Sequence, residues 1–370
     1  MMVDITKMPK LGFGLMRLPE KDGEIDLEQV CRMADAYLEA GLNYFDTAYV
    51  YHGGKSEVAA REAIVKRHPR DSFTLATKMP IWEVKQESDL DRLFNIQLER
   101  AGVDYFDYYL LHAIAEDKAD QYDKYHAYEW GVRMRDAGKI RHFGFSFHGS
   151  PELLVRILDV HPEIEFVQIQ LNYLDWTNPE VRSQRLYEIL RDRNIPIIVM
   201  EPVKGGTLAN LPEDLMKKYQ AVRPDASAAS WALRFVASLP GVATILSGMS
   251  NDAQMADNLK TFTGFEPLTE EERSLVNEVT QGLVSVPQIG CTACRYCTDG
   301  CPQQISIPDI FRMVNTLRRQ SGDQYTKDAY AQLVTHSGRA DDCIACGQCE
   351  SVCPQHLPII ELLREAAALL

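Results

Sequence analysis

The sequence has 370 residues, 45% hydrophobic and 25% charged, a globular composition that allows one large domain and a smaller one. A formal net charge of −14 argues against a nucleic-acid partner, because no basic stripe is available for phosphate contacts. No apolar run has the length of a signal-peptide core or of a membrane span, so we expect a cytoplasmic protein without a membrane partner.

Short β-branched or aromatic runs alternate with amphipathic stretches over the first three-quarters of the chain. Eight predicted strands cover residues 10–15, 42–48, 73–78, 106–113, 141–146, 165–171, 195–201 and 242–248. They are nearly continuous apolar runs, as expected of a parallel sheet buried on both faces. Stretches such as 26–41, 89–102 and 178–194 predict helices between them. Eight strand–helix units predict a (β/α)8 TIM barrel, with an open doubly wound sheet as the alternative.

The character of the sequence changes near residue 284, which predicts a barrel domain over residues 1–284 and a small helical domain over 285–370. The second domain contains an internal repeat: "CTACRYCTDGCP" (291–302) returns as "CIACGQCESVCP" (343–354). The residues between the two runs predict helices. The ninth cysteine, Cys31, stands alone in a predicted helix, and we interpret it as a core residue.

Both cysteine runs read C-x2-C-x2-C-x3-C-P. Zinc and disulfides are the alternatives to iron. A third and a fourth cysteine at these spacings overfill a tetrahedral zinc site, and a cytoplasmic setting disfavours disulfides. The spacing resembles that of bacterial [4Fe–4S] ferredoxins, in which the fourth cysteine ligates the other cluster, and the helical insert resembles an α-helical ferredoxin. The resemblance implies two [4Fe–4S] clusters. The first would be held by Cys291, Cys294, Cys297 and Cys353, and the second by Cys343, Cys346, Cys349 and Cys301.

Three segments of the predicted barrel resemble the aldo-keto reductase family: "NYFDTAYVYHGGKSE" (43–57), "LATK" (75–78) and "YYLLHA" (108–113). The resemblance covers residues 10 to 283. It implies a catalytic tetrad of Asp46, Tyr51, Lys78 and His112. Three of these residues end predicted strands and the tyrosine follows in a loop, which is where barrel active sites form.

The residue types fit carbonyl reduction, which needs hydride on carbon and a proton on oxygen. The tyrosine would donate the proton, but its reference pKa of about 10 is too high for ready transfer near neutrality. A buried lysine ammonium lowers that pKa by favouring the phenolate, and an aspartate keeps the lysine charged. The histidine would orient the carbonyl oxygen. Trp82 either walls the substrate pocket or packs in the fold.

The same resemblance implies where a nicotinamide cofactor would bind. Ser146 and Gln168 match the positions that hold the carboxamide, although Phe147 stands where the family often has asparagine. The segment after the seventh strand would contact the pyrophosphate with Glu201, Pro202, Val203 and Lys204. Residues 247–258 would surround the adenosine ribose with Gly248, Ser250 and Asn258. That segment has no lysine or arginine and carries Asp252 and Asp257, which favours NAD(H) over NADP(H).

We therefore expect a nicotinamide-dependent oxidoreductase that reduces an aldehyde or ketone, or oxidises the alcohol. A hydride moves two electrons together and each cluster moves one, while no flavin fingerprint connects the two. The clusters would then serve a ferredoxin or flavoprotein partner, or else stabilise the domain and sense oxidation. The alternative is an electron-transfer protein whose barrel is mainly a scaffold.

Overall fold

A computed structural model of the chain describes Ile5, residues 8–319 and residues 324–370. These residues form two compact units. The first comprises residues 1–202 and 229–269, and the second comprises residues 203–228 and 270–370. The units are not continuous in sequence, because residues 203–228 belong to the second one. The domain boundary at residue 284 stays a prediction.

The first unit is built on a closed parallel barrel. Its strands are β1 (Leu11–Gly14), β4 (Tyr44–Asp46), β5 (Thr74–Met79), β6 (Phe106–Ile114), β7 (Ile140–Phe147), β8 (Phe166–Gln170), β9 (Ile197–Met200) and β10 (Val242–Ser247). They follow the order β1-β10-β9-β8-β7-β6-β5-β4, and β4 pairs with β1 to close the ring. A two-stranded hairpin, β2 (Glu20–Lys21) and β3 (Glu24–Ile25), lies outside it. All eight predicted strands and the TIM-barrel fold are confirmed, and closure excludes the open sheet.

Helices follow most of the barrel strands. They are α1 (Leu27–Glu39), α2 (Ser56–Ala60), α3 (Ser88–Ala101), α4 (Ala119–Lys124), α5 (Ala127–Asp136), α6 (Pro151–Val160), α7 (Ser183–Asp192), α9 (Ala228–Ala237) and α10 (Asp252–Thr263). Three of them start at side chains that accept a backbone N–H of the first turn: Asp26, Ser150 and Asn251. These caps fix where each helix begins and therefore how long the preceding loop is. Cys31, expected in the core, is half-buried on α1.

The barrel register brings the predicted site residues to one end of the sheet. Asp46 is the last residue of β4, and Lys78 lies near the end of β5. His112 occupies the end of β6, and Ser146 on β7 is the direct register partner of Gln168 on β8. Except for Gln168 at the middle of β8, these positions are at or near the carboxyl ends of parallel strands, where the loops of a TIM barrel assemble its active site.

The second unit is helical. Its helices are α8 (Glu213–Val222), α11 (Glu270–Val284), α12 (Tyr296–Asp299), α13 (Ile307–Arg319), α14 (Gln324–Leu333), α15 (Gln348–Ser351) and α16 (Ile359–Leu369). A core of buried apolar side chains, including Ile307, Phe311 and Leu363, joins α13 and α16. The helices predicted between the two cysteine runs are confirmed by α13 and α14, and residues 320–323 lie outside the described part of the chain. Within the described part of the chain, no helix has the length and apolar character that a bilayer crossing needs.

The two cysteine runs have the same backbone conformation. In the first run, Ala293 and Arg295 adopt positive φ, and the equivalent Ala345 and Gly347 do so in the second. A one-turn helix then carries the third cysteine of each run, on α12 and on α15. Left-handed residues are uncommon outside glycine, so their recurrence at matched positions shows that each run folds as the same tight loop.

Candidate active site

Lys78 is the centre of the predicted tetrad. Its ammonium donates to Asp46 Oδ1 at 2.5 Å, to the backbone carbonyl of Thr47 at 2.7 Å and to the Tyr51 hydroxyl at 3.3 Å. The lysine side chain is fully buried, and those of Asp46 and Tyr51 are nearly so. The structure therefore brings the tyrosine, lysine and aspartate into one chain of contacts centred on the lysine ammonium.

Burial acts against both charges of the buried ion pair. It raises the pKa of Asp46 and lowers the pKa of Lys78, and in each case the partner's opposite charge opposes the effect. The second carboxylate oxygen, Asp46 Oδ2, has no hydrogen-bond partner among the described residues. Each charge offsets the unfavourable burial of the other. Removing either residue would therefore leave one buried charge without its partner.

His112 faces the tyrosine from the neighbouring strand. Its ring centroid lies 6.1 Å from that of Tyr51 and 5.2 Å from that of Trp82, which is 38% exposed. Burial, helped by the charge of Lys78, holds the pKa of His112 well below its usual range. A neutral imidazole keeps one N–H that it can donate to an acceptor. The position of Trp82 over His112 fits the wall of a substrate pocket.

The residues predicted to hold the carboxamide have unused hydrogen-bonding capacity. Gln168 Oε1 is buried and has no partner among the described residues. Ser146 Oγ accepts the backbone N–H of Ala113 at 2.7 Å, which leaves its own hydrogen to donate. A carboxamide carries both donors and an acceptor, so these two adjacent groups fit a nicotinamide.

The predicted pyrophosphate segment begins in the first unit. Glu201 adopts positive φ and accepts Arg17 Nη2 at 2.8 Å, and Pro202 follows it. Val203 and Lys204 belong to the second unit. There the Lys204 ammonium lies beside the first cysteine run, 3.9 Å from where a Cβ of Gly290 would be. Whether Lys204 binds a pyrophosphate stays a prediction.

Two arginines approach the segment predicted to surround the ribose. Ser250 Oγ donates to the carbonyl of Arg17, whose side chain lies against Gly248. Arg32 of α1 pairs with Asp252 at 3.4 Å. Asn258 is buried and donates to Ser247 Oγ at 2.6 Å. Sequence reasoning missed both arginines, because they come from elements more than two hundred residues away along the chain.

The eight clustered cysteines surround two separate pockets in the second unit. One is lined by Cys291, Cys294, Cys297 and Cys353, among other residues. The other is lined by Cys301, Cys343, Cys346 and Cys349, among other residues. These are the two crossed sets that the ferredoxin resemblance implies. Among the described residues no group of three histidine, cysteine, aspartate or glutamate side chains is arranged to hold a single metal ion. Four thiols lining one pocket match the ligand number of a [4Fe–4S] cluster.

Gly205 packs against the first cysteine run within the second unit, which yields a prediction. It has a φ of +61°, and a Cβ there would lie 2.3 Å from the carbonyl oxygen of Thr292. Gly206 has a φ of +96° with open space around it. We expect Gly205→Ala to displace the loop that carries Cys291 and Cys294, and so to lower both the unfolding temperature and the iron content. Gly206→Ala should cost only the backbone strain of about 1–3 kcal/mol. Equal iron content in the two variants, measured anaerobically, would contradict this packing argument.

The closed parallel barrel, with candidate site residues at the carboxyl ends of its strands, has the architecture of a TIM-barrel enzyme. Residues 10–281 match the Aldo/keto reductase family, and residues 290–358 match a 4Fe-4S dicluster domain. The chain belongs to the aldo/keto reductase family. It is an NAD(P)H-dependent oxidoreductase that carries a 4Fe-4S domain.

Three similar proteins illustrate the match. An uncharacterized oxidoreductase of Bacillus subtilis is 26% identical over 295 residues, which span 71% of this chain and 90% of that protein. The holo form of an aldo-keto reductase from Bacillus halodurans is 26% identical, with a TM-score of 0.60 over 73% of this chain and 91% of that one. An aldo/keto reductase from Klebsiella pneumoniae in complex with NADP and acetate has a TM-score of 0.60 over 74% and 92% of the two chains. At 20% identity, that likeness is one of fold.

Proposed function

We propose that the protein reduces a small aldehyde or ketone, or oxidises the corresponding alcohol, through Tyr51, Lys78, Asp46 and His112. The observation that supports this is the buried ammonium of Lys78, which lies 3.3 Å from the Tyr51 hydroxyl and 2.5 Å from Asp46 Oδ1. A lysine held charged beside a phenol is what general acid catalysis by tyrosine requires near neutral pH.

Each residue has a distinct task in the proposed reaction. The nicotinamide, when bound, supplies the hydride for the carbonyl carbon. Tyr51 donates its hydroxyl proton to the oxygen, and Lys78 stabilises the phenolate that remains. Asp46 and the Thr47 carbonyl keep the ammonium charged and in place. Neutral His112 donates a hydrogen bond to the substrate oxygen and orients it. In the oxidation direction the phenolate accepts the alcohol proton.

We further propose that the two sets of four cysteines bind two [4Fe–4S] clusters, which supply one-electron chemistry when present. The two cysteine-lined pockets support this assignment. Burial raises the pKa of Cys297 and of Cys349, so binding iron there has to release protons. The clusters would exchange electrons with a ferredoxin or flavoprotein, or stabilise the unit and sense oxidation.

One observation favours a second candidate, an electron-transfer protein with the barrel as scaffold. Cys346 is exposed, and Ile344 beside it is 60% exposed, so the second cluster loop faces solvent. A cluster near the surface suits exchange with a protein partner.

Anaerobic turnover separates the two candidates. Oxidation of a reduced nicotinamide is followed with a panel of small aldehydes, in the parent and in a Cys346→Ser variant. Carbonyl reduction that persists in the variant supports the reductase. Cluster reduction by a reduced ferredoxin or flavoprotein, without any aldehyde turnover, would favour electron transfer.

We propose that the preferred cofactor is NAD(H). Arg17 and Arg32 each pair with a carboxylate, Glu201 and Asp252, so a 2′-phosphate would have to replace one of these ion pairs. If both arginines keep their carboxylate partners, the 2′-phosphate has no charge-assisted contact, which is worth about 1.5–3 kcal/mol. NADPH should then bind roughly tenfold or more weakly than NADH. Fluorescence titration with both cofactors measures the ratio.

Two variants complete that titration. Arg32→Gln should leave NADH affinity nearly unchanged, whereas Lys204→Ala should weaken NADH and NADPH to the same extent, because both carry the pyrophosphate that Lys204 is expected to contact. Tighter binding of NADPH than of NADH, lost in Arg32→Gln or Lys204→Ala, would show that this cation binds the 2′-phosphate and that the NADH preference is wrong.

A further inference from the structure

A second buried carboxylate lies behind the tetrad. Glu57, the second residue of α2, is fully buried in the first unit. Its Oε1 accepts Thr77 Oγ1 at 2.7 Å and Gln97 Nε2 at 2.9 Å, and its Oε2 lies 3.5 Å from Arg100 Nη1. Burying a carboxylate is unfavourable unless it is hydrogen-bonded or paired. The three donors around Glu57 compensate for that burial and hold the side chain in one position.

The network around Glu57 reaches Lys78 through the backbone. Gln97 Nε2 also donates to the carbonyl of Lys78 at 3.0 Å, and Gln97 Oε1 accepts the hydroxyl of Tyr109 at 2.5 Å. Thr77, the other donor to Glu57, precedes the lysine on β5. Glu57 therefore contacts strand β5 directly at Thr77 and, through Gln97, at the backbone carbonyl of Lys78.

The charges around Lys78 also involve Glu57. The ammonium is fully buried, and its contacting carboxylate is Asp46. Burial lowers the pKa of Lys78, and the negative charges of Asp46 and, more weakly, Glu57 oppose that effect. Arg100, 28% exposed, is the cation closest to Glu57 and partly offsets it. Burial raises the pKa of Glu57 itself, and hydrogen bonds from Thr77 and Gln97 oppose that rise.

We propose that Glu57 is a positioning residue of the reductase site, a second carboxylate that holds Lys78 in place and favours its charged form for Tyr51. This inference rests on the proposed function of the tetrad. Glu57 touches neither substrate nor cofactor in this role, and it acts only through the lysine.

The direction of the expected pH effect follows from the charged and titratable groups around Glu57 and Lys78. Glu57 contacts Thr77 on β5 and Gln97 and Arg100 on α3, and its charge also acts on Lys78 of β5 and on Tyr109 of β6. Lys78 contacts Asp46 on β4 and Tyr51. Carbonyl reduction needs a protonated tyrosine and a charged lysine, so activity falls at high pH when either loses its proton. Removing a negative charge makes both protons easier to lose, which moves this alkaline limb to lower pH. Removing the positive charge of Arg100 moves it to higher pH.

The test is the pH profile of kcat/KM in three variants. Glu57→Gln keeps the shape of the side chain and should move the alkaline limb down by about half a pH unit or more. Arg100→Gln should move it up. Glu57→Asp, which keeps the charge but shortens the reach, should lower the rate and leave the limb near its parental position.

The outcomes separate this inference from the proposed function. An alkaline limb that stays in place in a folded Glu57→Gln variant, with only a lower rate, would reduce Glu57 to a packing role and overturn the proposal. If Glu57→Gln does not fold, the direction of the Arg100→Gln shift decides, and no upward shift overturns the proposal too. If the Tyr51→Phe variant reduced carbonyls as fast as the parent, the proposed function would instead be contradicted.

Discussion

Tyr51→Phe is expected to lower carbonyl reduction by about 10²- to 10⁴-fold, which is the usual contribution of a general acid. The substitution removes only the hydroxyl that lies 3.3 Å from the Lys78 ammonium. Lys78 keeps its contacts with Asp46 and with the Thr47 carbonyl, so the buried ion pair should survive. The phenyl ring can still pack against His112, and we expect a folded protein that binds the nicotinamide as tightly as the parent does.

Steady-state kinetics with one aldehyde, together with a fluorescence titration of the cofactor, check this expectation. A loss of kcat with unchanged cofactor affinity indicates an interaction made only in the transition state. Tyr125→Phe, which removes a hydroxyl from a half-buried tyrosine outside the tetrad, is the matched control and should reduce at the parental rate. Parental turnover by Tyr51→Phe would mean that another group donates the proton.

The barrel could be predicted from sequence because its signal is local and repeated. Each strand is a short apolar run, and closure follows from eight units of similar length. The β2–β3 hairpin was not predicted, because strands of two residues leave no periodic pattern. The cysteine runs could also be predicted from sequence, because the spacing within each run predicts one tight loop. The repeat of that spacing predicts a second loop of the same kind.

Contacts between distant elements set the limit of the sequence analysis. Segment 247–258 was correctly described as lacking cations, but Arg17 and Arg32 reach it from the first elements of the chain. The position of Glu57 behind Lys78 depends on Thr77 and Gln97, which come from two other elements. Similarly, only the three-dimensional contacts place residues 203–228 with the cysteine-rich unit. Local spacing predicts residue types at a site, whereas their partners depend on packing.

Cluster content gives the second large expected effect. Anaerobically purified protein should contain about eight iron and eight sulfide ions per chain, two cubes of four each. Cys301→Ser should leave about four iron ions, because its thiol lines the pocket of the second run with Cys343, Cys346 and Cys349. Cys31→Ser, on α1 in the other unit, is the control and should keep the parental content.

Double variants decide whether the fourth cysteines cross over. If they do, Cys301→Ser combined with Cys343→Ser affects one cluster, and about four iron ions should remain. Cys301→Ser combined with Cys291→Ser affects both clusters, and almost no iron should remain. Without the crossover the two results exchange, since Cys301 would then share a cluster with Cys291. Stoichiometric zinc with little iron in the parent would remove the basis for both outcomes, because four thiolates would then hold a single tetrahedral ion.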